Sequence, residues 1–360
     1  MRNTLGDNLT LTIYGQSHGV SVGCILDGMP SGIKIDEEFI KHQLSLRRPQ
    51  GTISTSRVEL DEYEIKSGVF NGYTTGEAIC IDIPNNNTHS SDYSDLSHIA
   101  RPSHADYVAY KKYDGFNDYR GGGHFSGRLT TPIVVAGAIV LSYLKDKGIY
   151  IGTHIKESLN IKDDNFNNYL EDINSLNNEY IAMLNKDKKE ELIKKIEEVA
   201  SKGDSCSGKL ETVIYGLPVG VGEPYFDSLE SKLAHGLFSI GAVKGIEFGL
   251  GFDYLNKLGS EVNDSFKIVD DKVVTTTNNN GGINGGISNG MPVLFSTIIK
   301  PTPSIFKPQD TIDFKENKNI NYQIKGRHDP AIFHRARVVI DSISALVVMD
   351  LLLSSNKELV

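Results

Sequence analysis

Cysteine is scarce in this 360-residue sequence, and tryptophan is absent. The three cysteines, Cys24, Cys80 and Cys206, stand far apart and none belongs to a CxxC pair. This spacing argues against a disulfide framework and against a thiolate metal site. No HExxH motif or tight His/Asp cluster indicates zinc either, so we expect no bound metal. Three reduced thiols are typical of a cytoplasmic protein.

The sequence also has an excess of negative charge and no long apolar run. Its net charge is −9, which makes a broad nucleic-acid-binding surface improbable. The N-terminal stretch MRNTLGDNLTLTIYG lacks the features of a signal peptide. The longest apolar run, 131–144, is shorter than the ~18 residues that a membrane span needs, so we expect no membrane segment and predict a buried helix there.

Arginine is rare and unevenly placed. Lysine occurs 27 times and arginine only ten times. Nine of the ten arginines fall in three segments: Arg47, Arg48 and Arg57; Arg101, Arg120 and Arg128; Arg327, Arg335 and Arg337. Because the guanidinium group binds carboxylate or phosphate in a forked geometry that lysine cannot copy, this placement suggests an anion pocket built from distant segments. Chance, together with a few buried ion pairs, is an equal alternative.

Hydrophobic periodicity predicts a mixture of strands and helices. Two strands over 9–28 surround a glycine-flanked turn, an amphipathic helix is expected over 35–48, and a further helix over 226–245. An apolar helix beginning at Pro330 closes the chain, with 354–360 as a tail. Residues 158–203 form a polar, partly helical surface segment. Since no repeat or Pro/Ser-rich linker divides the chain, we predict a single α+β domain over 1–360.

The stretch DYRGGGHFSGRLT, residues 118–130, resembles a phosphate loop without matching one. It fails the dinucleotide fingerprint because Ser126 stands at the third glycine position, and the Walker pattern because Arg128-Leu129 replaces Lys-Ser/Thr. Its glycines could still bring backbone amides close to an anion, beside Arg128. An ordinary flexible turn is the alternative.

Three further stretches carry residues suited to acid–base chemistry. GQSHG places His18 in a turn where its imidazole could titrate near neutrality, although a structural histidine is the commoner case. RPSHADY combines Arg101 and His104 with Asp106, which could orient a histidine or cap a helix. GRHDPAIFHRAR places Asp329 just before a helix N-terminus, which favours anions.

Eight stretches in a fixed order together resemble the chorismate synthase family. They are GQSHG, RRPQG, RPSHADY, YRGGGHFSGRLT, GAVKGIEFG, GGINGGISNG, KPTPSI and KGRHDPAIFHRA, spread over about residues 6–353. The resemblance implies helices sandwiched between antiparallel β-sheets in an α+β fold, and a homotetramer. It also implies a lyase of the shikimate pathway that uses reduced FMN. In that reaction, 5-enolpyruvylshikimate 3-phosphate loses phosphate by 1,4-anti elimination to give chorismate.

The resemblance assigns a role to each matching residue. His18 and His104 are the expected acids, for the flavin and for the departing phosphate, and Asp329 is the carboxylate that assists removal of the C6 proton. The expected substrate ligands are Arg47, Arg48, Arg101, Arg128 and Arg327. The expected cofactor ligands are His124, Phe125, Ser126, Gly241, Ala242, Gly285, Lys300, Pro301, Thr302, Pro303, Ser304 and Arg327. NADPH, or a separate flavin reductase, would supply the reducing equivalents.

The sequence departs from the family pattern at several positions. Gln16 stands where glutamate is common, and His124 where many members have arginine. The segment after Arg48 is one residue shorter than usual and lacks a basic residue near Thr52. Reduced positive charge near the cofactor is the expected consequence at His124.

Overall fold

A computed structural model describes residues 3–54, 61–86, 97–324 and 329–355. Within these ranges the helices are α1 Glu37–Arg47, α2 Asp106–Lys112, α3 Thr130–Asp146, α4 Tyr169–Leu176, α5 Lys186–Ser201, α6 Leu229–Phe238, α7 Gly259–Val262 and α8 Phe333–Ser354. The first nine strands are β1 Thr4–Leu5, β2 Thr10–Gly15, β3 Ser21–Asp27, β4 Glu64–Ser67, β5 Val69–Phe70, β6 Tyr73–Thr74, β7 Ile79–Pro84, β8 Tyr150–Ser158 and β9 Ile161–Lys162. The others are β10 Gly208–Tyr215, β11 Val243–Phe248, β12 Phe266–Val269, β13 Lys272–Thr275, β14 Ile283–Asn284, β15 Ile287–Ser288, β16 Val293–Ile299, β17 Gln309–Asp313 and β18 Lys318–Tyr322.

Two five-stranded antiparallel sheets form the outer layers. The strand order is β1-β2-β3-β7-β4 in the first sheet and β11-β16-β10-β8-β9 in the second. Strand β7 shows why such a strand forms: Ile79, Ile81 and Ile83 are fully buried, while the residues between them are partly exposed. This period of two gives the strand one face for the core and one nearer to solvent. The predicted strands over 9–28 are confirmed as β2 and β3.

Helices α3 and α8 fill the space between the two sheets. Helix α3 packs on β2, β3 and β7, whereas α8 packs on β8 and β10. The two helices cross closely at Gly137, where an added Cβ would lie only 2.2 Å from the Cβ of Ser342. Glycine is therefore required at this crossing. The predicted sandwich of helices between antiparallel sheets is confirmed.

The predicted apolar helix over 131–144 corresponds to α3. The stretch Gly127–Asp146 is long and apolar enough to cross a membrane by length and composition alone. However, 78% of the most apolar part of this stretch is buried inside the protein. Its hydrophobicity is thus accounted for by contacts with α8 and the first sheet.

Two predicted helix boundaries are wrong. Helix α6 ends at Phe238 rather than 245, because the chain turns at Ala242, whose φ is 74°, and continues as β11. Helix α8 begins at Phe333, three residues after Pro330. The Pro330 carbonyl instead accepts a hydrogen bond from the Cys206 amide, at 2.8 Å. This bond ties the segment before α8 to the residues just before β10.

The polar segment 158–203 contains β9, α4 and α5 and has contacts of its own with the core. Leu192 and Ile196 on α5 are fully buried. Tyr180 lies between the two helices, and its hydroxyl is 2.8 Å from Ser54 Oγ and 3.2 Å from His334 Nε2. The segment therefore covers the start of α8 as well as forming surface.

A buried histidine ties β8 to this segment and to β10. His154 Nδ1 is 2.7 Å from Asp163 Oδ2, and Nε2 is 3.0 Å from Glu211 Oε2. Burial lowers the pKa of His154, but the hydrogen bonds to the two carboxylates outweigh it, so the net direction is upward. A histidine between two carboxylate oxygens donates from both nitrogens, which only the imidazolium can do.

Helix α8 carries an ion pair inside the core. Arg337 Nη1 lies 3.6 Å from Asp341 Oδ2, and Thr153 Oγ1 donates to Asp341 Oδ1 at 2.6 Å. Arg337 also donates from Nη2 to the Glu179 carbonyl at 2.9 Å. Burial raises the pKa of Asp341 to about 6, and the nearby guanidinium offsets only part of that effect.

Candidate active site

The glycine loop, residues 121–123, adopts a backbone that only glycine accepts readily. The φ angles are 58° at Gly121, 83° at Gly122 and 56° at Gly123. A Cβ at Gly123 would lie 1.9 Å from the Asp118 carbonyl oxygen. Three consecutive left-handed residues would strain any other side chains, which explains the GGG run.

The loop is fixed against the turn between β2 and β3. The Ser17 amide donates to the Gly123 carbonyl at 3.1 Å. His124 Nδ1 lies 3.0 Å from the Gly15 carbonyl. Since a carbonyl only accepts, His124 must carry its proton on Nδ1, which leaves Nε2 as an acceptor in the neutral ring. These two contacts hold the loop in place, so it is not an ordinary flexible turn.

Two predicted catalytic histidines lie against this loop. An added Cβ at Gly121 would be 2.4 Å from His18 Cδ2 and 2.5 Å from its Nε2. A Cβ at Gly122 would be 3.6 Å from His104 Cε1 and 3.9 Å from its Nε2. Adjacent Cα atoms are ~3.8 Å apart, so the structure brings both imidazoles to neighbouring points of one loop. His18 is 7% exposed, and the His104 side chain 21%.

Asp106 orients His104 and does not cap a helix. Its carboxylate accepts from Arg101 Nε at 2.8 Å and from Arg101 Nη2 at 2.6 Å, and it lies 3.0 Å from His104 Nδ1. Helix α2 has no side-chain cap at its N-terminus. Burial raises the pKa of Asp106, but the hydrogen bonds from Arg101 and His104 outweigh it and hold the pKa well below its usual value. With Nδ1 directed at this carboxylate, the Nε2 edge of His104 borders the glycine loop.

Three predicted substrate ligands converge on one carboxylate that the sequence did not mark. Arg47 Nη1 is 3.3 Å from Asp61 Oδ2, and Arg48 Nε is 3.6 Å from the same oxygen. Arg128 Nη1 contacts Asp61 Oδ1. The Asp61 side chain is completely buried. The arginines of two distant segments are thus brought together, as the sequence suggested.

Asn85 links this arginine cluster to the turn that bears His18. Its Oδ1 accepts from Arg128 Nε at 3.1 Å. Its Nδ2 donates to the carbonyls of Gln16 and Gly19, each at 3.0 Å. One amide side chain therefore fixes both the position of Arg128 and the shape of the GQSHG turn. Asn85 belongs to a run of three asparagines, and nothing in the sequence distinguishes it from its neighbours.

Asp329 reaches the same cluster through Arg335. Arg335 Nη1 is 2.9 Å from Asp329 Oδ2, and Arg335 Nε donates to the Arg47 carbonyl at 2.8 Å. Because α8 begins at Phe333, Asp329 is held by a guanidinium rather than by a helix N-terminus. Arg327 and Arg57 lie outside the described residues.

Part of the predicted cofactor set adjoins the His104 loop. Lys300 Nζ donates to the Ser103 carbonyl at 2.7 Å, and the Lys300 amide donates to the Ala242 carbonyl at 2.9 Å. Burial, with a smaller contribution from Lys244, lowers the pKa of Lys300. Thr302 Oγ1 is buried and has no hydrogen-bond partner in the part of the chain that the structure describes. An unsatisfied buried hydroxyl fits a ligand group.

The remaining cofactor candidates differ in setting. Phe125 is 44% exposed beside the loop, and Ser126 Oγ accepts from the Arg128 amide at 3.3 Å. Gly241 and Gly285 have open space where a Cβ would be. Within the segment 301–304, Ser304 is 7% exposed. Gly285 lies in the β14–β15 hairpin, which forms hydrogen bonds with the start of α6 and with the loop after β10; among the described residues no contact joins it to the glycine loop.

Two clefts in the described structure lie elsewhere. One, of about 160 Å³, opens between α1 and α4, and the other, of about 210 Å³, lies beside β2, α6 and α8. Neither is lined by a residue that the sequence predicted for the site. The convergence of side chains at the glycine loop therefore identifies the candidate active site better than cavity size does.

Comparison with known proteins matches this architecture to one family. The family model described as chorismate synthase matches residues 9–353. The chain belongs to the chorismate synthase family. A chorismate synthase from Pyrococcus abyssi is 44% identical over 348 residues, which cover 97% of each chain. One from Korarchaeum cryptofilum is 41% identical over 361 residues, with 98% of each covered.

A solved structure supports the same conclusion in three dimensions. A crystal structure of chorismate synthase superposes with a TM-score of 0.75 at 28% identity, and covers 97% of this chain and 93% of its own. Membership in the family makes the chain a carbon–oxygen lyase acting on phosphates, in the shikimate pathway of aromatic biosynthesis. The resemblance inferred from the eight motifs is confirmed.

Proposed function

We propose that the chain converts 5-enolpyruvylshikimate 3-phosphate to chorismate by 1,4-anti elimination of phosphate, with reduced FMN as cofactor. The observation that carries this proposal is the juxtaposition of His18 and His104 on one glycine loop, beside a cluster of arginines. Two potential acids next to an anion-binding site suit a reaction that releases phosphate. Family membership supports the reaction class.

The arginines would bind the substrate. The substrate carries a phosphate and two carboxylates, and guanidinium groups bind such oxygens in pairs. Arg47, Arg48 and Arg128 already converge, while Arg101 lies beside His104. Buried anions need compensating charge, which these side chains supply. Arg327 is proposed as a further ligand by resemblance alone.

His104 is the proposed acid for the departing phosphate. Asp106 directs the ring through Nδ1, so that Nε2 remains available to hold and deliver a proton. His18 is the proposed acid on the flavin side. A well-placed general acid contributes roughly 10²–10⁴-fold in rate. Asp329, held by Arg335, is the proposed carboxylate that assists removal of the C6 proton.

The described residues fit a bound flavin at several points. The unsatisfied Thr302 hydroxyl and the Lys300 ammonium offer polar contacts, and the exposed face of Phe125 offers an apolar one. Reduced FMN would lend electron density to the breaking C–O bond. His124, Ser126, Gly241, Ala242, Gly285, Pro301, Pro303 and Ser304 complete the proposed set.

We further propose that the protein is cytoplasmic and assembles as a homotetramer, as the family resemblance implies. Either a separate flavin reductase or direct use of NADPH supplies the reducing equivalents. Chorismate formation with oxidised FMN plus NADPH, and no added reductase, would establish the second route.

Anaerobic assay tests the function directly. Purified protein with reduced FMN and 5-enolpyruvylshikimate 3-phosphate should release chorismate and phosphate in equal amounts, and His18→Ala and His104→Ala should each lower turnover without unfolding the protein. Thr302→Val should weaken FMN binding in a fluorescence titration, a readout independent of turnover. Tight binding of substrate and flavin with no product would instead indicate a non-catalytic binding protein.

A further inference from the structure

The β17–β18 hairpin stands apart from the two large sheets and pairs with the chain just before the RPSHADY stretch. Its two strands form a small sheet of their own. The Ala100 amide donates to the Ile312 carbonyl at 3.1 Å, in antiparallel register. The Phe314 amide donates in the other direction, to the His98 carbonyl at 2.9 Å. The segment that leads into RPSHADY is thereby held along the edge of β17.

The same hairpin contacts the helix that follows this stretch. The centre of the Phe314 ring lies 4.8 Å from that of Tyr110 and 5.9 Å from that of Tyr107. The two tyrosines are three positions apart in α2, so they lie on one face of the helix. Aromatic rings at these distances attract each other beyond the effect of the area they bury. Phe314 thus joins α2 to the hairpin through its side chain, which is half-buried.

His104 lies between these two attachments. The loop that carries it makes a tight turn, in which the His104 amide donates to the Arg101 carbonyl at 3.1 Å. Within this turn Ser103 has a φ of 58°, and a serine keeps a left-handed backbone only where its surroundings hold it. Lys300 Nζ supplies one such contact, to the Ser103 carbonyl. The position of the loop therefore depends on what fixes its two ends.

The hairpin also contacts the predicted cofactor segment, residues 300–304. It follows this segment in the chain, and Gln309 Nε2 donates to the Pro303 carbonyl at 3.4 Å. The segment is held from another side by Ser205, whose Oγ donates to the Thr302 carbonyl at 2.7 Å. One hairpin therefore touches the segment proposed for the flavin and both ends of the loop that carries the proposed phosphate acid.

We propose that Phe314 is a positioning residue for the elimination, which holds His104 in place by fixing α2 to the β17–β18 hairpin. The inference rests on the proposed function for the role of His104 as an acid. Phe314 acts through Tyr107 and Tyr110, on the helix whose first residue, Asp106, orients the imidazole. Without the ring, α2 can shift relative to the hairpin, and a displacement of ~1 Å can cost a catalytic group about 10²-fold in rate.

Hydrogen–deuterium exchange of Phe314→Ala tests the inference without any turnover. Mass spectrometry of the full chain reports how readily the backbone amides of each segment open. We expect exchange over 98–112 to be at least about threefold faster than in the native chain, because two ring contacts are lost. Exchange over 15–23, around His18, should not change. Native exchange rates over 98–112 in this variant would overturn the proposal.

Phe266→Ala is the matched control. Phe266 is also an aromatic residue in a separate two-stranded hairpin, β12–β13, but it is 62% exposed. The same change of side chain should therefore leave exchange over 98–112 and turnover at native values. Equal effects of Phe266→Ala and Phe314→Ala on the 98–112 range would show that the response is not specific to Phe314, and would also overturn the proposal.

A double-mutant cycle with His104→Ala separates positioning from a general loss of structure. In the native background we expect Phe314→Ala to lower kcat in the anaerobic chorismate assay about 10- to 100-fold. In the His104→Ala background the same change should lower kcat less than about twofold, because the group that Phe314 positions is already gone. Each reaction is followed to one equivalent of chorismate, so that slow variants are measured as well. Equal fold-losses in the two backgrounds would contradict the proposal.

Phe314→Leu is the conservative variant, because leucine keeps apolar bulk beside the two tyrosines. Its exchange over 98–112 and its kcat should both lie between those of the native chain and those of Phe314→Ala. If Phe314→Ala does not fold, Phe314→Leu replaces it in both tests, with an expected change of about twofold or more. Absence of lyase activity in the unmodified protein would refute the proposed function, whereas native exchange in the Phe314 variants would refute this inference alone.

Discussion

Substitution of Gly121 by alanine tests whether the glycine loop sets the position of His18. The new methyl carbon would lie 2.4 Å from His18 Cδ2, 2.5 Å from its Nε2 and 2.9 Å from Ser17 Oγ. Contacts this short force the imidazole or the loop to move. A left-handed non-glycine residue costs about 1–2 kcal/mol, and overpacking adds about 1–3 kcal/mol.

The expected loss of stability is therefore about 2–5 kcal/mol. With an unfolding entropy of ~2.1 cal/mol/K per residue, a chain of this length loses about 3–7 °C in Tm. Turnover should fall further than stability alone explains, by about 10²-fold or more, if His18 is a general acid. Circular dichroism measures the first effect, and the anaerobic chorismate assay, run well below the Tm, measures the second.

Two neighbouring glycines provide graded controls. A Cβ at Gly127 meets nothing within 4 Å, so Gly127→Ala should keep both stability and turnover. Gly122→Ala places its methyl 3.6 Å from His104, an ordinary contact, but at a φ of 83°. We expect Gly122→Ala to lose stability through backbone strain but to lose less turnover than Gly121→Ala. Near-normal turnover of Gly121→Ala, or an equal loss in Gly127→Ala, would refute the reasoning.

The remaining predictions concern two buried charged groups. Asp106→Asn leaves the buried Arg101 guanidinium without its counter-ion. We expect the free energy of unfolding, measured by chemical denaturation, to fall by about 3–5 kcal/mol, and turnover to fall because His104 loses its orientation. An unchanged unfolding curve would contradict this. Because its pKa is lowered, the stability from Asp106 is present above about pH 3.9 and is lost as the pH falls. His154 has a raised pKa, so its stabilisation is complete below about pH 6.5 and is lost as the pH rises through the folded-state pKa. Thermal unfolding from pH 6 to 9 should show this loss, at up to ~1.4 kcal/mol per pH unit, in the native chain but not in His154→Gln; parallel pH profiles for the two would disprove it.

Local patterns predicted the regular elements well where their burial is simple. The strands β2 and β3 and the helix α1 follow from a clear periodicity, and the buried helix α3 follows from its apolar run. The predicted C-terminal end of α6 and the predicted start of α8 were wrong because tertiary contacts decide where these helices end and begin. Pro330 is held by the amide of Cys206, 124 positions away in sequence, and no local pattern contains that information.

The candidate site shows the same division. The sequence marked the arginines by their rarity, and the histidines by their glycine-rich and proline-rich surroundings. It did not mark Asp61, which is one of 46 acidic residues. A charged side chain becomes important when several opposite charges surround it in the protein interior, away from water. That condition exists only after the end of α1 and the turn that precedes α3 have been brought together.

The sequence by itself therefore determined the kinds of residue at the site, the family and the glycine-only backbone of the loop. These properties depend on residue type and order, which the chain carries locally. The tertiary structure alone decided that His18 and His104 border one loop. It also decided that Asp106 orients His104 instead of capping α2, and that three arginines contact Asp61. Such facts depend on distances between segments remote in sequence, which only packing of the two sheets around α3 and α8 defines.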